Sequence, residues 1–187
     1  VDEKNNVRQY FLTLRKQLDA NMVDYASQLI KDQFLKEWDF KQQNISCFLP
    51  MTQKKEVNTF PLLQSLEKKN KLWVPVTDFQ QGRMAHFSFD QKTPLKVNPY
   101  GIPEPVEPKN TIDAKALDVI VIPLLAADFG GNRIGYGKGF YDKLLKDCSS
   151  QAIRIGLSFF EPIENIPCEA FDEKLHFLVT PKQTYRF

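Results

Sequence analysis

Asp118-Val-Ile-Val-Ile-Pro123 places four β-branched apolar residues in a row with no polar residue to meet solvent, so a strand there is buried on both faces. Such a strand needs cover above and below, and the chain supplies helical stretches between its other apolar runs. Residues 45–49 (Ile-Ser-Cys-Phe-Leu) read as a short buried strand, 59–69 as a helix opened by Asn58 and Pro61, and 72–76 as the next strand, which makes a βαβ crossover. Residues 153–157 and 175–179 supply two further strands, and 83–89 an edge strand or hairpin arm. Pro94, Pro99, Pro103, Pro105 and Pro108 argue for a long loop until about Thr111. The fold class expected is α/β, with a mostly parallel sheet covered on both faces and ligands at the carboxyl ends of its strands.

Two helices precede the first strand. Over 3–18, Val7, Phe11, Leu14 and Leu18 fall within an arc of roughly 60° on a helical wheel. Lys4, Arg8 and Arg15 cluster within about 40° at the border of that stripe, which puts cations at the rim of the core, facing a ligand or, on the plainer reading, forming a solvated basic face. A second helix is expected over 22–38, capped by Asn21, with Leu29, Ile30, Phe34 and Trp38 inward.

With 187 residues, 42% of them hydrophobic, the chain can bury one core, and residues 1–187 are expected to form a single domain. A net charge of +2 with interleaved signs is too mild for a nucleic-acid surface, so any cationic site is local. Cys47, Cys148 and Cys168 are odd in number and widely spaced, which fits buried or incidental thiols in a reducing compartment, the cytoplasm. No apolar run approaches a membrane span, the charged start is not that of a signal peptide, and a first residue other than Met points to processing or trimming. His86 and His176 lack partners at metal or catalytic spacing and read as structural.

Function is concentrated in Arg133-Ile-Gly-Tyr-Gly-Lys-Gly-Phe-Tyr-Asp142-Lys143, which follows the buried strand. Glycines at 135, 137 and 139 leave backbone N–H groups free to turn toward an anion, Arg133 and Lys138 add charge, and a helix beginning at Phe140 points its N-terminus at the same place. The spacing is not a Walker A loop, because Asn132 stands where its first glycine belongs and Gly139 where Ser or Thr belongs. Nor is it a dinucleotide fingerprint, since Phe140 replaces the third glycine. A nucleotide-binding phosphate loop remains, beside the plainer reading of a turn that closes a strand–helix unit.

At this point the residues resemble the 5-formyltetrahydrofolate cyclo-ligase (5,10-methenyltetrahydrofolate synthetase) family over nearly the whole chain. Its basic first helix is met by Lys4, Arg8 and Arg15, its Glu-Val-x-Thr step by Glu56-Val-Asn-Thr59, and its Gly-Ile-x-Glu-Pro box by Gly101-Ile-Pro-Glu-Pro105. The most specific element, Arg-hydrophobic-Gly-x-Gly-x-Gly-aromatic-Tyr-Asp, is met by Arg133 to Asp142. Two departures stand out: Leu124-Leu-Ala-Ala-Asp128 keeps the aspartate but not the aromatic before it, and Phe171-Asp-Glu-Lys-Leu-His176 keeps only the first of two acids.

The resemblance implies a three-layer α/β/α sandwich similar to the ribose-5-phosphate isomerase and CoA-transferase group. It also implies an ATP- and Mg²⁺-dependent ligase that converts 5-formyltetrahydrofolate to 5,10-methenyltetrahydrofolate. It assigns ATP to Lys4, Arg8, Arg133, Ile134, Gly135, Tyr136, Gly137, Lys138, Gly139, Phe140 and Tyr141, with Lys138 and Arg133 catalytic. Folate falls to Glu56, Tyr136, Gly137, Lys138, Gly139 and Phe140, and Mg²⁺ to Asp142 and Asp172. From the residues alone, Asp142 also suits a helix N-terminus, Asp172 a turn, Glu56 a solvated position before a helix, and Lys54 and Lys55 an exposed pair. The partners expected are the two small molecules, with neither nucleic acid nor membrane, on a monomer or weak homo-oligomer. The rival readings are a nucleotide- or folate-binding regulator without turnover, and a phosphosugar isomerase with no ATP requirement.

Overall fold

The computed structural model describes residues 3–187. Its helices and strands run α1 (Glu3–Gln17), α2 (Ala20–Glu37), β1 (Asn44–Cys47), α3 (Phe60–Leu66), β2 (Lys71–Asp78), β3 (Arg83–Phe89), β4 (Leu95–Val97), β5 (Pro103–Pro105), β6 (Thr111–Ile112), β7 (Val119–Pro123), β8 (Ala126–Ala127), β9 (Arg133–Ile134), α4 (Phe140–Asp147), β10 (Ile153–Leu157), β11 (Phe177–Val179) and β12 (Thr184–Arg186). Eight strands form one mixed sheet in the order β12-β11-β10-β7-β1-β2-β3-β6. The five in the middle, β11 to β2, are parallel, and β12, β3 and β6 are antiparallel at the two sides.

The unbroken apolar run of β7 explains the layering. Val119 and Val121 pack with Ile30 and Phe34 of α2 and with Leu62, Leu63 and Leu66 of α3. Ile120 and Ile122 point the other way, to Leu144 and Leu145 of α4. All four β7 side chains are fully buried, which at about 25 cal/mol per Å² of apolar surface makes this strand a principal source of the fold's stability. A third cluster sets Phe11 of α1 against Leu125, Ala126, Ile134 and Ile166.

The chain leaves β1 toward β2, β3 and β6, then returns to β7 on the other side of β1 and continues outward to β10, β11 and β12. That reversal opens a crevice above the carboxyl ends of β1 and β7.

Several boundaries differ from those expected, each for a local reason. Asp19, not Asn21, caps α2: its Oδ1 accepts the N–H of Met22 at 2.8 Å, and Asn21 already lies inside the helix. The helix α3 stops at Leu66, where the Asn70 side chain donates to the Leu66 carbonyl. The strand β3 is a hairpin arm with β2 but not an edge, since β6 pairs along its far side. Within the proline-rich stretch β4 and β5 form a two-stranded ribbon, tied at its ends by Val106 N–H to the Pro94 carbonyl and Asn98 N–H to the Ile102 carbonyl. These bonds bypass Pro103 and Pro105, which have no N–H to give.

The glycine loop does not follow β7 directly. A short hairpin, β8–β9, intervenes, and Arg133 and Ile134 are its second strand. Asp128, buried at 1% exposure, organises it: its carboxylate accepts the N–H groups of Gly130, Asn132 and Ile166 and the side-chain amide of Asn132, all at 2.8–2.9 Å.

Both histidines lie outside the crevice. His86 is buried within β3 with no partner for Nε2, and burial pushes its pKa down to about 4. His176 Nδ1 accepts the Arg154 N–H at 3.3 Å. Cys47, Cys148 and Cys168 are free thiols, and no helix among the described residues is long and apolar enough to cross a membrane.

Candidate active site

A cavity of about 510 Å³ fills the crevice, within the range of small-ligand sites. Phe48 and Leu49 after β1, Pro75 and Thr77 of β2 and Pro123 of β7 form its floor at the strand ends. Lys4 and Arg8 reach it from α1, and the segment from Arg133 to Asp142 forms one wall. Glu56, Asp172 and every residue to which the sequence gave an ATP or folate role line this one cavity.

The glycines of the loop are not equivalent. Gly137 and Gly139 have φ of +88° and +67°, a region in which a side chain is strained, and Gly139 caps α4 in this conformation. A Cβ on Gly137 would also lie 3.1 Å from the Arg8 guanidinium. Gly135 needs no positive φ, and a Cβ there would meet nothing within 4 Å, so its contribution is open space beside the loop. Its carbonyl accepts Arg8 Nε at 3.1 Å, which ties α1 to the loop.

Each cation at this end has a partner. Lys4 Nζ bonds Asp172 Oδ2 at 2.6 Å and Glu169 Oε2 at 2.9 Å. Burial pulls the Lys4 ammonium down, but its two carboxylate partners outweigh that and leave its pKa raised. For Asp172 burial pushes up, and the bonds from Lys4 and from the Glu169 N–H outweigh it, leaving its pKa lowered. Arg133 Nη2 bonds Asp142 Oδ1 at 2.7 Å, with the arginine side chain only 7% exposed, and burial holds its pKa below the ordinary arginine value. Lys138 Nζ lies over two rings, 4.7 Å from the centroid of Phe79 and 5.0 Å from that of Tyr100.

Asp142 and Asp172 fit a magnesium ion in the chemistry of their donors. Among the described residues Asp142 Oδ2 and Asp172 Oδ1 accept no hydrogen bond, and no cluster of three or more acids, histidines or cysteines is present. Two carboxylates with one oxygen each to spare suit an ion that completes its shell with water and phosphate oxygens.

Glu56, which meets the loop through the Tyr136 side chain, is 4% exposed. Its Oε2 accepts the Met51 N–H and its Oε1 the Tyr136 hydroxyl, each at 2.7 Å. Burial pushes its pKa up, against the hydrogen bonds and the charges of Arg15 and Lys54. The plainer sequence reading of a solvated residue is therefore overturned.

Arg15 is also corrected. It does not face the cavity beside Lys4 and Arg8 but is buried at 3% exposure behind Tyr136, with Nη1 2.9 Å from the phenol oxygen. Lys54 lines the cavity 4.4 Å from the centroid of the Tyr136 ring, whereas Lys55 turns away to the carbonyls of Lys16 and Leu18.

Sequence reasoning missed the aromatic roof. Phe79, just past β2, stacks on Tyr100 with ring centroids 3.8 Å apart and meets the edge of Phe140 at 5.4 Å. Tyr100 sits at the tip of the β4–β5 ribbon, where Asn98 Oδ1 accepts the N–H groups of Tyr100 and Ile102. The one signal in the sequence is its position immediately before Gly101-Ile-Pro-Glu-Pro105.

Comparison with known proteins gives the same architecture a lineage. Residues 1–181 match the 5-formyltetrahydrofolate cyclo-ligase family. The chain is 31% identical over 181 residues to the 5-formyltetrahydrofolate cyclo-ligase of Haemophilus influenzae, covering 94% of this chain and 96% of that one. It is 29% identical over 137 residues to the Escherichia coli K12 enzyme of the same name, covering 71% and 75%. The solved structure of Aquifex aeolicus 5,10-methenyltetrahydrofolate synthetase superposes with a TM-score of 0.79 at 29% identity, over 98% of this chain and 92% of that one. The chain belongs to the 5-formyltetrahydrofolate cyclo-ligase family.

Proposed function

We propose that the chain carries out the reaction its family is named for, joining N10 of 5-formyltetrahydrofolate to its formyl carbon at the expense of ATP. The observation that carries this is one continuous cavity lined both by a cation-rich glycine loop and by a buried carboxylate held to the side chain of that loop's Tyr136. An amide oxygen is a poor leaving group. Transfer of the γ-phosphoryl group to the formyl oxygen releases ADP; N10 then attacks the activated carbon and loses its proton, and the oxygen departs as phosphate as the ring closes. Phosphoryl transfer asks a protein mainly for positioning and charge compensation.

The loop from Ile134 to Tyr141 holds the triphosphate on its backbone N–H groups, with Lys4, Arg8 and Arg133 around it. Lys138 leaves its aromatic seat and neutralises the phosphoryl group in transit. Asp142 and Asp172 would hold Mg²⁺, which when bound supplies charge neutralisation to the phosphates. Glu56 accepts N–H donors of the pterin edge, and Tyr136, Phe140 and the neighbouring loop backbone border the folate. Residues 1–187 act as one domain in the cytoplasm, as a monomer or weak homo-oligomer. Helices on both faces of the sheet support the three-layer α/β/α description and, at the level of fold alone, kinship with the ribose-5-phosphate isomerase and CoA-transferase group.

The test is to incubate purified protein with 5-formyltetrahydrofolate and MgATP while following the near-UV absorption of the methenyl product and the release of ADP. Product and ADP rise together on this reading. Binding of either ligand without product would instead make the chain a regulator, and turnover of a phosphosugar without ATP an isomerase.

A further inference from the structure

Arg15 is a buried cation with no carboxylate in salt-bridge range among the described residues and no contact with the cavity. Its Nη1 donates to the Tyr136 hydroxyl at 2.9 Å, its Nη2 to the Leu124 carbonyl, and its Nε has no partner. As core filling this is expensive, because a methionine would occupy the position without desolvating a charge.

Donor and acceptor counting shows what the guanidinium does. Arginine carries donors only, and a phenol carries one proton. Since Arg15 donates to the Tyr136 oxygen, the phenol proton cannot point back at Arg15, and the acceptor 2.7 Å away is Glu56 Oε1. The other carboxylate oxygen already accepts the Met51 N–H. Both Glu56 oxygens are thereby acceptors, and each keeps a lone pair for a donor arriving in the cavity. The charged and titratable groups that act on this carboxylate are Arg15 from α1, Lys54 from the turn after β1, and Tyr136 and Tyr141 from the loop and the start of α4.

We propose that Arg15 is a positioning residue for folate recognition, acting through Tyr136 to hold Glu56 as a hydrogen-bond acceptor aimed into the cavity. This rests on the reading of Glu56 as the folate-binding carboxylate. The relay reaches the glycine loop only through the Tyr136 side chain, whereas the triphosphate is assigned to the loop's backbone N–H groups, so loss of Arg15 falls on the folate. Without Arg15 the buried Glu56 carboxyl loses a stabilising charge, takes up a proton at higher pH, and can no longer accept from the ligand until the pH is raised.

The experiment is steady-state kinetics of Arg15→Met, Tyr136→Phe, Arg15→Lys and the Met/Phe double variant from pH 6 to 9, with thermal unfolding of each. Arg15→Met raises the KM for folate about tenfold near neutrality, leaves kcat and the KM for ATP within about twofold, and narrows its defect as pH rises. Arg15→Lys restores part of the affinity, and the double variant is no worse than Tyr136→Phe, as a serial relay requires. Equal damage to the ATP and folate parameters, a defect independent of pH, or additive effects would overturn the proposal. Should Arg15→Met fail to fold, an unchanged folate KM in Tyr136→Phe would overturn it as well. If the unaltered protein neither binds nor converts the folate, the reading of Glu56 falls and takes this proposal with it. If the unaltered protein is active and its folate KM survives Arg15→Met, the relay alone is wrong.

Discussion

At the glycine-loop end of the cavity Gly137, Lys138 and Gly139 are exposed, Lys138 rests on aromatic faces, and Lys4 and Arg133 are paired with acids that keep an oxygen spare. Behind the Tyr136 side chain of the same loop Glu56 is almost wholly buried, and both its oxygens are committed to donors from the protein. The carboxylates of these pairs are partly open to solvent, and the most exposed pair, Lys4–Glu169, is of a kind worth about 0–1 kcal/mol, little enough for an arriving anion to replace it. A buried, hydrogen-bonded carboxylate costs several kcal/mol to disturb, so it is set before its ligand arrives. On the proposed assignments the comparison teaches a division of labour: the triphosphate side rearranges on binding, and the Glu56 side is pre-organised.

Lys138→Ala tests the first half most severely. Its charge matters most while phosphoryl charge redistributes, so kcat should fall by about 10²–10³ while the KM for folate moves less than about threefold. Equal losses in both parameters would erase the distinction between the ends. Glu56→Gln probes the second half. It replaces an acceptor by a mixed donor and acceptor in a buried network, and a rise of about ten- to a hundredfold in folate KM with an unaltered ATP KM is expected. A defect shared with ATP would show that the two ends are not separate.

Asp142→Asn should raise the Mg²⁺ concentration for half-maximal activity several-fold. It should also cost about 1–3 kcal/mol in chemical denaturation, because Arg133 keeps its charge and loses its acid. An unchanged metal requirement would move the metal elsewhere. The smallest effect belongs to the roof. Tyr100→Ala removes one of the two rings beneath Lys138 and should raise the folate KM about threefold, with unfolding free energy within about 0.5 kcal/mol. A loss as large as that of Glu56→Gln would make the roof, not the carboxylate, the pre-organised element.

Much of this was legible in the sequence where a long periodic signal existed. The stripe of Val7, Phe11, Leu14 and Leu18 predicts α1, and the run 119–122 predicts a central strand with helices on both faces. The loop from Arg133 to Asp142 marked one wall of the cavity, because three alternate glycines with cations and an acid are rarely assembled for a turn alone. What stayed hidden was short or depended on partners far along the chain. Ala126–Ala127 and Arg133–Ile134 are too brief to show an alternation, and the β4–β5 ribbon is masked by its own prolines. Arg15 sits on the helical wheel between Lys4 and Arg8, yet it is buried, because the Leu124 carbonyl and the Tyr136 hydroxyl, more than a hundred residues away, receive it.

Asp128 has a consequence of its own. Through Gly130 and Asn132 it fixes the bend that delivers Arg133, and through Ile166 it anchors the stretch that runs on to Glu169 and Asp172. Two lengths of backbone separated by dozens of residues thus hang from a single buried carboxylate that does not line the cavity, much as two doors share one hinge pin. Damage to that pin would let Arg133 and Asp172 shift relative to each other and, on the proposed assignments, would resemble a lesion in the site itself.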